Sequence, residues 1–340
     1  MRASVRRSLL AGLALFAATA APAAAEPFRL IVTELEVPLV PNAVMHLADK
    51  LGYFDEAGVD VELIRVQQTP SALGALQAAE GEMANVAVDS VLQLVARGTT
   101  NMRAVTSPNK ALPFLIAAKD DITTPADLVG RSFGVGRIGS LDHSLSTKVL
   151  ASEGVATDRI DFVTLGQPNV RGQALAAGQI DATTMSIGVW TSMPEKTGLH
   201  VLIDQDAYFA AAPVVNKVNI VTTETLEKRG DDVRAVITAL TRASRDFAAN
   251  PEKWVEAMAA ERPDVSRETL AMLAESFAKS WSVNGGMNRE ELAATAEWIF
   301  EGPDFEGLTP VPIEAWTDFS AVDAVLAELG TEPGMDEPGR

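Results

Sequence analysis

Two rhythms alternate along the chain. FRLIVTEL (28–35) is a strand-like apolar run, and Ala43, Leu47 and Leu51 in PNAVMHLADKLGYF (41–54) recur at helical spacing. VDVELIRV (59–66) alternates like a half-buried strand, SALGALQAAEGE (71–82) is helical and closes at a glycine, and NVAV (85–88) is a short strand. Asp89 and Ser90 are placed to cap a helix SVLQLVARG, and MRAVTS (102–107) supplies the next strand. The rhythm resumes with SFGVG (132–136) as strand, SLDHSLSTKVLASEG as helix, IDFVTLG (160–166) as strand, VRGQALAAGQ (170–179) as helix and IDATTMS (180–186) as strand. VVNKVNIVTT (214–223) is extended, and from Thr225 the pattern is mostly helical, punctuated at Asn250-Pro251 and Arg262-Pro263. Such alternation predicts parallel sheets with helices on both faces. LQAAEGEMANVAV (76–88) and ALAAGQIDATTM (174–185) repeat one another as small-residue helix, glycine and short strand, as two lobes of one topology would.

The first residues follow a different pattern. Arg2, Arg6 and Arg7 precede an apolar run from Leu9 to Ala20, and Ala23-Ala24-Ala25 follows as a small-x-small cleavage pattern. This predicts a secretory signal peptide over 1–25, too short in its apolar part to span a bilayer, and a periplasmic chain starting at Glu26. Arg6-Arg7 leaves the general and twin-arginine export routes both open. Loss of three arginines would take the formal charge from −18 to −21, a poor match to nucleic acid or anionic membrane. No cysteine is present, which excludes disulfides, thiolate metal sites and a cysteine nucleophile. The three histidines, His46, His143 and His200, have no ligand spacing, so no metal site is expected.

One glycine motif bears on chemistry. Gly134, Gly136 and Gly139 form G-x-G-x-x-G between a strand and a helix, the arrangement of a dinucleotide-binding turn. That site also needs an acid at the far end of the following strand, and Asp158 and Asp161 lie before or at the start of IDFVTLG instead. No cofactor is therefore expected. The turn still aims free N–H groups and a helix dipole beyond the strand end, with Arg137, Ser140 and His143 close by, which suits a carboxylate or sulfonate. An ordinary capped turn accounts for the same residues.

LADKLGYFDEAGVDVEL (47–63), TTPADLVGRSFGVGRIGS (123–140), VLASEGV (149–155) and VRGQALAAGQIDA (170–182), in this order, resemble the solute-binding proteins of ABC importers of the nitrate, taurine and aliphatic-sulfonate type, whose fold the pyrimidine-precursor synthases share. The resemblance implies an α/β, type II periplasmic-binding fold: two lobes joined by two crossing segments, with a ligand cleft between them. The crossings are expected near Pro113 and near 213–218. That assigns 26–112 and 216–330 to lobe one and 113–215 to lobe two, and leaves 331–340 as a loose tail. Two departures stand out. Ala84 occupies a position where the family often has the aspartate that Asp181 supplies in the second repeat, and the cysteine-rich motif of the synthases is missing.

Strand ends nominate the cleft residues. Glu34, Glu36 and Pro38 follow the first strand; Asp89 and Ser90 follow the third; Asn109 follows the fourth near a crossing. The second lobe offers Arg137, Gly139, Ser140, His143, Ser186 and Trp190, and a C-terminal loop offers Trp281. Plain capping explains Asp89 equally well, and His143 equally fits a packed position. The turn and Arg137 favour an anion while Glu34, Glu36 and Asp89 favour an amine, so a small organic solute with an acidic end, and also an amino group, satisfies both. The implied role is capture by lobe closure and delivery to a membrane permease and its ATPase by a monomer, without catalysis. A solute-binding partner of a membrane sensor would have the same fold. An exported hydrolase is disfavoured because Ser140 lacks a G-x-S-x-G elbow.

Overall fold

The computed structural model describes residues 26–212 and 214–337; the expected signal peptide lies outside them. The chain first runs β1 (Phe28–Val32), α1 (Ala43–Lys50), α2 (Tyr53–Glu56), β2 (Val61–Arg65), α3 (Thr69–Gln77), β3 (Met83–Ala87), α4 (Val88–Ala96) and β4 (Met102–Thr106). A second series follows: β5 (Phe114–Lys119), β6 (Ser132–Val135), α5 (Leu141–Ser152), β7 (Asp161–Thr164), α6 (Pro168–Ala176), β8 (Ala182–Ser186), α7 (Ile187–Ser192), β9 (Leu199–Ile203) and α8 (Gln205–Ala211). The chain then returns through β10 (Lys217–Thr222) into helices α9 (Thr223–Ala249), α10 (Pro251–Glu261), α11 (Arg267–Phe277), α12 (Arg289–Phe300) and α13 (Ser320–Leu329).

Two five-stranded sheets result, ordered β2-β1-β3-β10-β4 and β7-β6-β8-β5-β9. In each, three strands run parallel and the fourth, β10 or β5, is antiparallel to both its neighbours. The internal echo of the sequence falls on equivalent elements, α3–β3 and α6–β8. In interior strand β1 Phe28, Leu30, Ile31 and Val32 are all buried, whereas edge strand β2 is only half-buried and exposes Glu62. The β4 edge is not left open: Ala104 donates its N–H to the Trp316 carbonyl at 2.8 Å and accepts from Asp318 N–H at 2.9 Å.

One large apolar core lies under the first sheet and the C-terminal helices. The second sheet has a smaller core on each face, one against α5 and α8 and the other against α6 and α7. The chain passes between sheets after β4 and again before β10, and these two passages are bonded together by Asn216 N–H to the Lys110 carbonyl at 2.8 Å. No helix among the described residues is long and apolar enough to cross a membrane.

The expected loose tail is tied down as far as Glu337. Asp336 is 1 % exposed, and its carboxylate accepts N–H groups from Asn284 (2.7 Å) and Gly286 (2.8 Å). Asn284 in turn bonds the Glu332 carbonyl and N–H at 2.8 and 2.9 Å, and Lys110 Nζ reaches the Met335 carbonyl at 3.3 Å. The cause is the turn at 284–286. With φ of +70° Gly286 lies against the Ser107 carbonyl, where a side chain has no room, and the turn's exposed N–H groups need an anion.

Candidate functional site

Helices α4 and α5 start at the carboxyl ends of β3 and β6, one from each lobe, and each has an aspartate in its first turn, Asp89 and Asp142. These are the places where a parallel sheet exposes unpaired N–H groups to a ligand. Burial pushes the Asp89 carboxyl up to about 6; hydrogen bonds from Ser90 oppose that, then the Arg137 charge opposes it and the Asp142 charge adds to it. Arg137 and Asp142 of the second lobe thus lie close enough to Asp89 of the first to act on its charge.

The glycine turn is built as an anion cradle, and the chain fills it itself. Gly136 donates its N–H to Asp142 Oδ2 at 2.7 Å, Ser140 Oγ bonds Asp142 Oδ1, and the Arg171 guanidinium stands 3.2 Å from Asp142 Oδ2. Arg171 is 3 % exposed, and its other N–H groups go to Thr183 Oγ1 (3.2 Å) and the Gly166 (2.5 Å) and Thr184 (3.0 Å) carbonyls. Two of the donors that the sequence offers to a solute's acidic group, the Gly136 N–H and the Ser140 hydroxyl, are thus engaged by the chain's own Asp142. Sequence reasoning missed Arg171 and the role of Asp142. The available signal was an arginine in the otherwise small and apolar buried face Gly172, Ala174, Leu175 of α6.

His143 is fixed rather than free. Gly139 N–H donates to its Nδ1 at 3.1 Å, and its ring meets Phe162 edge-on at 4.7 Å. Burial, more than the opposing charges of Asp142 and Asp304, lowers its pKa, so at neutral pH it is the uncharged imidazole, with Nδ1 as acceptor.

The C-terminal part of the first lobe also reaches this place. Lys148 Nζ donates to the Trp298 carbonyl and to Glu301, both at 2.9 Å, and lies 3.9 Å above the Trp298 ring. Asp304 sits over Gly139, a position open to it because Gly139 has no side chain. On another side Leu39 packs on Gly188 at the start of α7. The void enclosed among Asp89, Gly139, Leu141, Lys148, Trp298 and Asp304 is about 20 Å³, room for about one water. A solute enters only if the lobes part.

Of the nominated residues, Asp89, Arg137, Gly139, Ser140 and His143 are thus brought together, with Ser90 bonded to Asp89 at 3.4 Å. Ser186 caps α7, accepting from Val189 N–H at 3.2 Å, and Trp190 is half-buried beside it with Lys196 over its ring. Pro38 is half-buried next to Leu39. Glu34 is spent on Lys217 at 3.1 Å. Three placements differ from expectation. Asn109 is 1 % exposed within an amide network to Asn42 (2.5 Å) and Asn85 (2.9 and 3.1 Å), because the crossing chain must satisfy its polar groups internally. Trp281, 1 % exposed, is core between Phe247 and Phe277, at centroid distances of 5.4 and 5.5 Å. Glu36 is exposed and lines a separate hollow of about 840 Å³ belonging to the first lobe alone. There buried His46 is satisfied on both ring nitrogens: Arg65 donates to Nδ1 at 2.7 Å, and Nε2 meets Glu261 at 2.5 Å. Among the described residues no group of side chains is arranged to hold a metal ion.

The family described as NMT1/THI5 like matches residues 42–254. A formylaminopyrimidine-binding protein of Halalkalibacterium halodurans is 23 % identical over 338 residues, 93 % of this chain and 97 % of the other. The ligand-binding component of an ABC-type import system from Staphylococcus aureus superposes with a TM-score of 0.68 at 13 % identity, covering 88 % of this chain and 98 % of that one. The periplasmic aliphatic sulphonate-binding protein of Escherichia coli gives 0.63 at 16 % identity, covering 86 % and 92 %. The fold is that of the periplasmic binding proteins, with two α/β lobes.

Proposed function

The chain belongs to the NMT1/THI5-like family, and from that membership and the electrostatics between its lobes we propose that it is the solute-binding subunit of an ABC uptake system for a small nitrogen heterocycle of the aminopyrimidine class. The observation that carries the solute class is Asp89, a first-turn carboxylate of the first lobe that lines the void between the lobes, with Asp142 of the second lobe close enough to act on its charge. A carboxylate accepts hydrogen bonds and donates none, so the complementary solute presents N–H groups or a positive charge. A sulfonate or carboxylate end meets these acids and a turn whose donors are already engaged, which argues against the acid-ended solute that the sequence favours. The name of the Halalkalibacterium relative points to the same chemistry.

On this reading the lobes part to admit the solute, Asp89 accepts its amino group, and closure buries it beside Leu39, Trp190 and Trp298. The closed form is then what a permease in the inner membrane recognises. No bond is made or broken. The test is isothermal titration of the mature chain with aminomethylpyrimidines and with alkanesulfonates. Saturable binding of the pyrimidines, weakened at least tenfold in Asp89→Ala, is the expected result. Binding of sulfonates alone overturns the proposed solute class.

A further inference from the structure

The sequence builds an anion cradle, and the fold places a side-chain carboxylate in it. Three donors converge on one small volume: the Gly136 N–H and the Ser140 hydroxyl from the turn before α5, and the Arg171 guanidinium from α6 at 3.2 Å. The dipole of α5, whose first turn contains the acid, adds to them. Asp142 is the only carboxylate within ion-pair distance of Arg171 among the described residues. Its own side chain is 17 % exposed while that of Arg171 is 4 % exposed, so the acid is the more solvent-accessible member of the pair. A buried guanidinium needs an anion beside it. In this chain the anion is covalently attached and has no off-rate.

We propose that Asp142 is the residue that sets the charge class of the solute: it is the protein's permanent occupant of an anion subsite, and by neutralising Arg171 and engaging the turn's donors it withholds them from an acid-ended solute. The inference rests on the reading of the site as a solute cleft and deepens it. Its physical content is a competition for one place. A free carboxylate or sulfonate must displace a tethered one, at an effective concentration that a dissolved anion does not reach. The same acid lies close enough to Asp89 for its charge to oppose ionisation there.

The test is anion rescue. In Asp142→Ala the Gly136 N–H, the Ser140 hydroxyl and Arg171 lose their anionic partner, and formate or methanesulfonate is of a size to replace the lost group. Melting temperature is followed for the wild-type chain, Asp142→Ala and Asp142→Ser in formate, methanesulfonate and chloride at matched ionic strength. The expected result is a variant that melts well below wild type and is raised by several degrees, saturably, by formate and methanesulfonate but not by chloride, with wild type unmoved. If Asp142→Ala does not fold, Asp142→Ser keeps a polar atom on the turn and carries the same prediction. A folded variant that is merely destabilised and indifferent to both anions overturns the inference, because that is what a purely structural helix-start acid would give. Pyrimidine titration of wild type runs in parallel. Its failure, with anion rescue intact, removes the solute reading and leaves the subsite standing; rescue that fails while wild type binds pyrimidines removes the subsite alone.

Discussion

Replacing Asp89 by asparagine should uncouple closure of the lobes from pH. The carboxyl stands at about 6 in this closed arrangement against 3.8 when unperturbed, and the cause is chiefly burial between the lobes. Each unit of displacement is worth about 1.4 kcal/mol, so ionised Asp89 costs the closed form about 3 kcal/mol at most at neutral pH. The closed form binds more protons than the open or unfolded chain between about pH 4 and pH 6. Its stability is therefore fully present below that window and falls as pH rises through about 6. A solute N–H group on the carboxylate offsets the same cost, which couples capture to closure. The assay is small-angle scattering of the solute-free mature chain at pH 5 and pH 7.5. Wild type should be the more compact at pH 5 and expand at pH 7.5, whereas Asp89→Asn should be compact at both. Identical pH responses of the two proteins would refute the reasoning, since they would show that Asp89 is hydrated whatever the position of the lobes.

Other expectations concern the frame around the cleft. Trp281→Ala should destabilise the fold by about 3–5 kcal/mol, read by denaturant unfolding, because the indole is enclosed by Phe247 and Phe277. Solute affinity of the variant that remains folded should be unchanged within twofold. Lys110→Met removes one partner of a pair whose ammonium is 3 % exposed and 2.6 Å from Glu291; a loss of about 3–5 kcal/mol is expected, and most of it should be recovered by Lys110→Met with Glu291→Leu in a double-mutant cycle. Deleting residues 331–340 strips the Asn284 and Gly286 N–H groups of Asp336, at about 1.5–3 kcal/mol for each charged hydrogen bond; the melting temperature should fall by several degrees, and amide exchange at 284–286 should accelerate. Lys148→Ala removes contacts that join the lobes, so the solute-free form should open more often, seen as faster exchange in α5 without a change in global unfolding.

The sequence pattern revealed those elements whose periodicity has one meaning. The alternating or glycine-bounded strands, β2, β3 and β6 among them, could be read directly, whereas Asp89 and Ser90 do not cap α4: the helix starts earlier, at Val88 after Ala87, and puts both in its first turn. The strand β5 could not be read so: FLIAAK is buried along nearly its whole length, and an unbroken apolar run is equally a buried helix segment. Helix 41–54 is in fact two, parted by Gly52 at φ +79°, which spacing alone does not show. Within the site, the rule of strand ends found Asp89, Arg137 and Ser140, because topology puts successive helix starts at one side of a sheet. It could not find Arg171, nor the contact of Lys148 with Trp298, 150 positions away, because those depend on how elements pack and not on their order. Trp281 was misplaced for a related reason. A tryptophan before a glycine turn looks exposed until Phe247 and Phe277 are known to enclose it.

The position of β10 also has a consequence for how the chain is made. It lies between β3 and β4, although more than a hundred residues separate it from β4 along the chain. The second sheet is contiguous in sequence, from Phe114 to Ile203, and has all its strands before β10 exists. A nascent or translocating chain can therefore complete the later sheet first. Meanwhile β3 and β4 wait with an unfilled slot between them for roughly 5–20 s at synthesis rates of about 5–20 residues per second. That slot presents unpaired backbone to any passing strand, and this interval is when the protein most needs an escort.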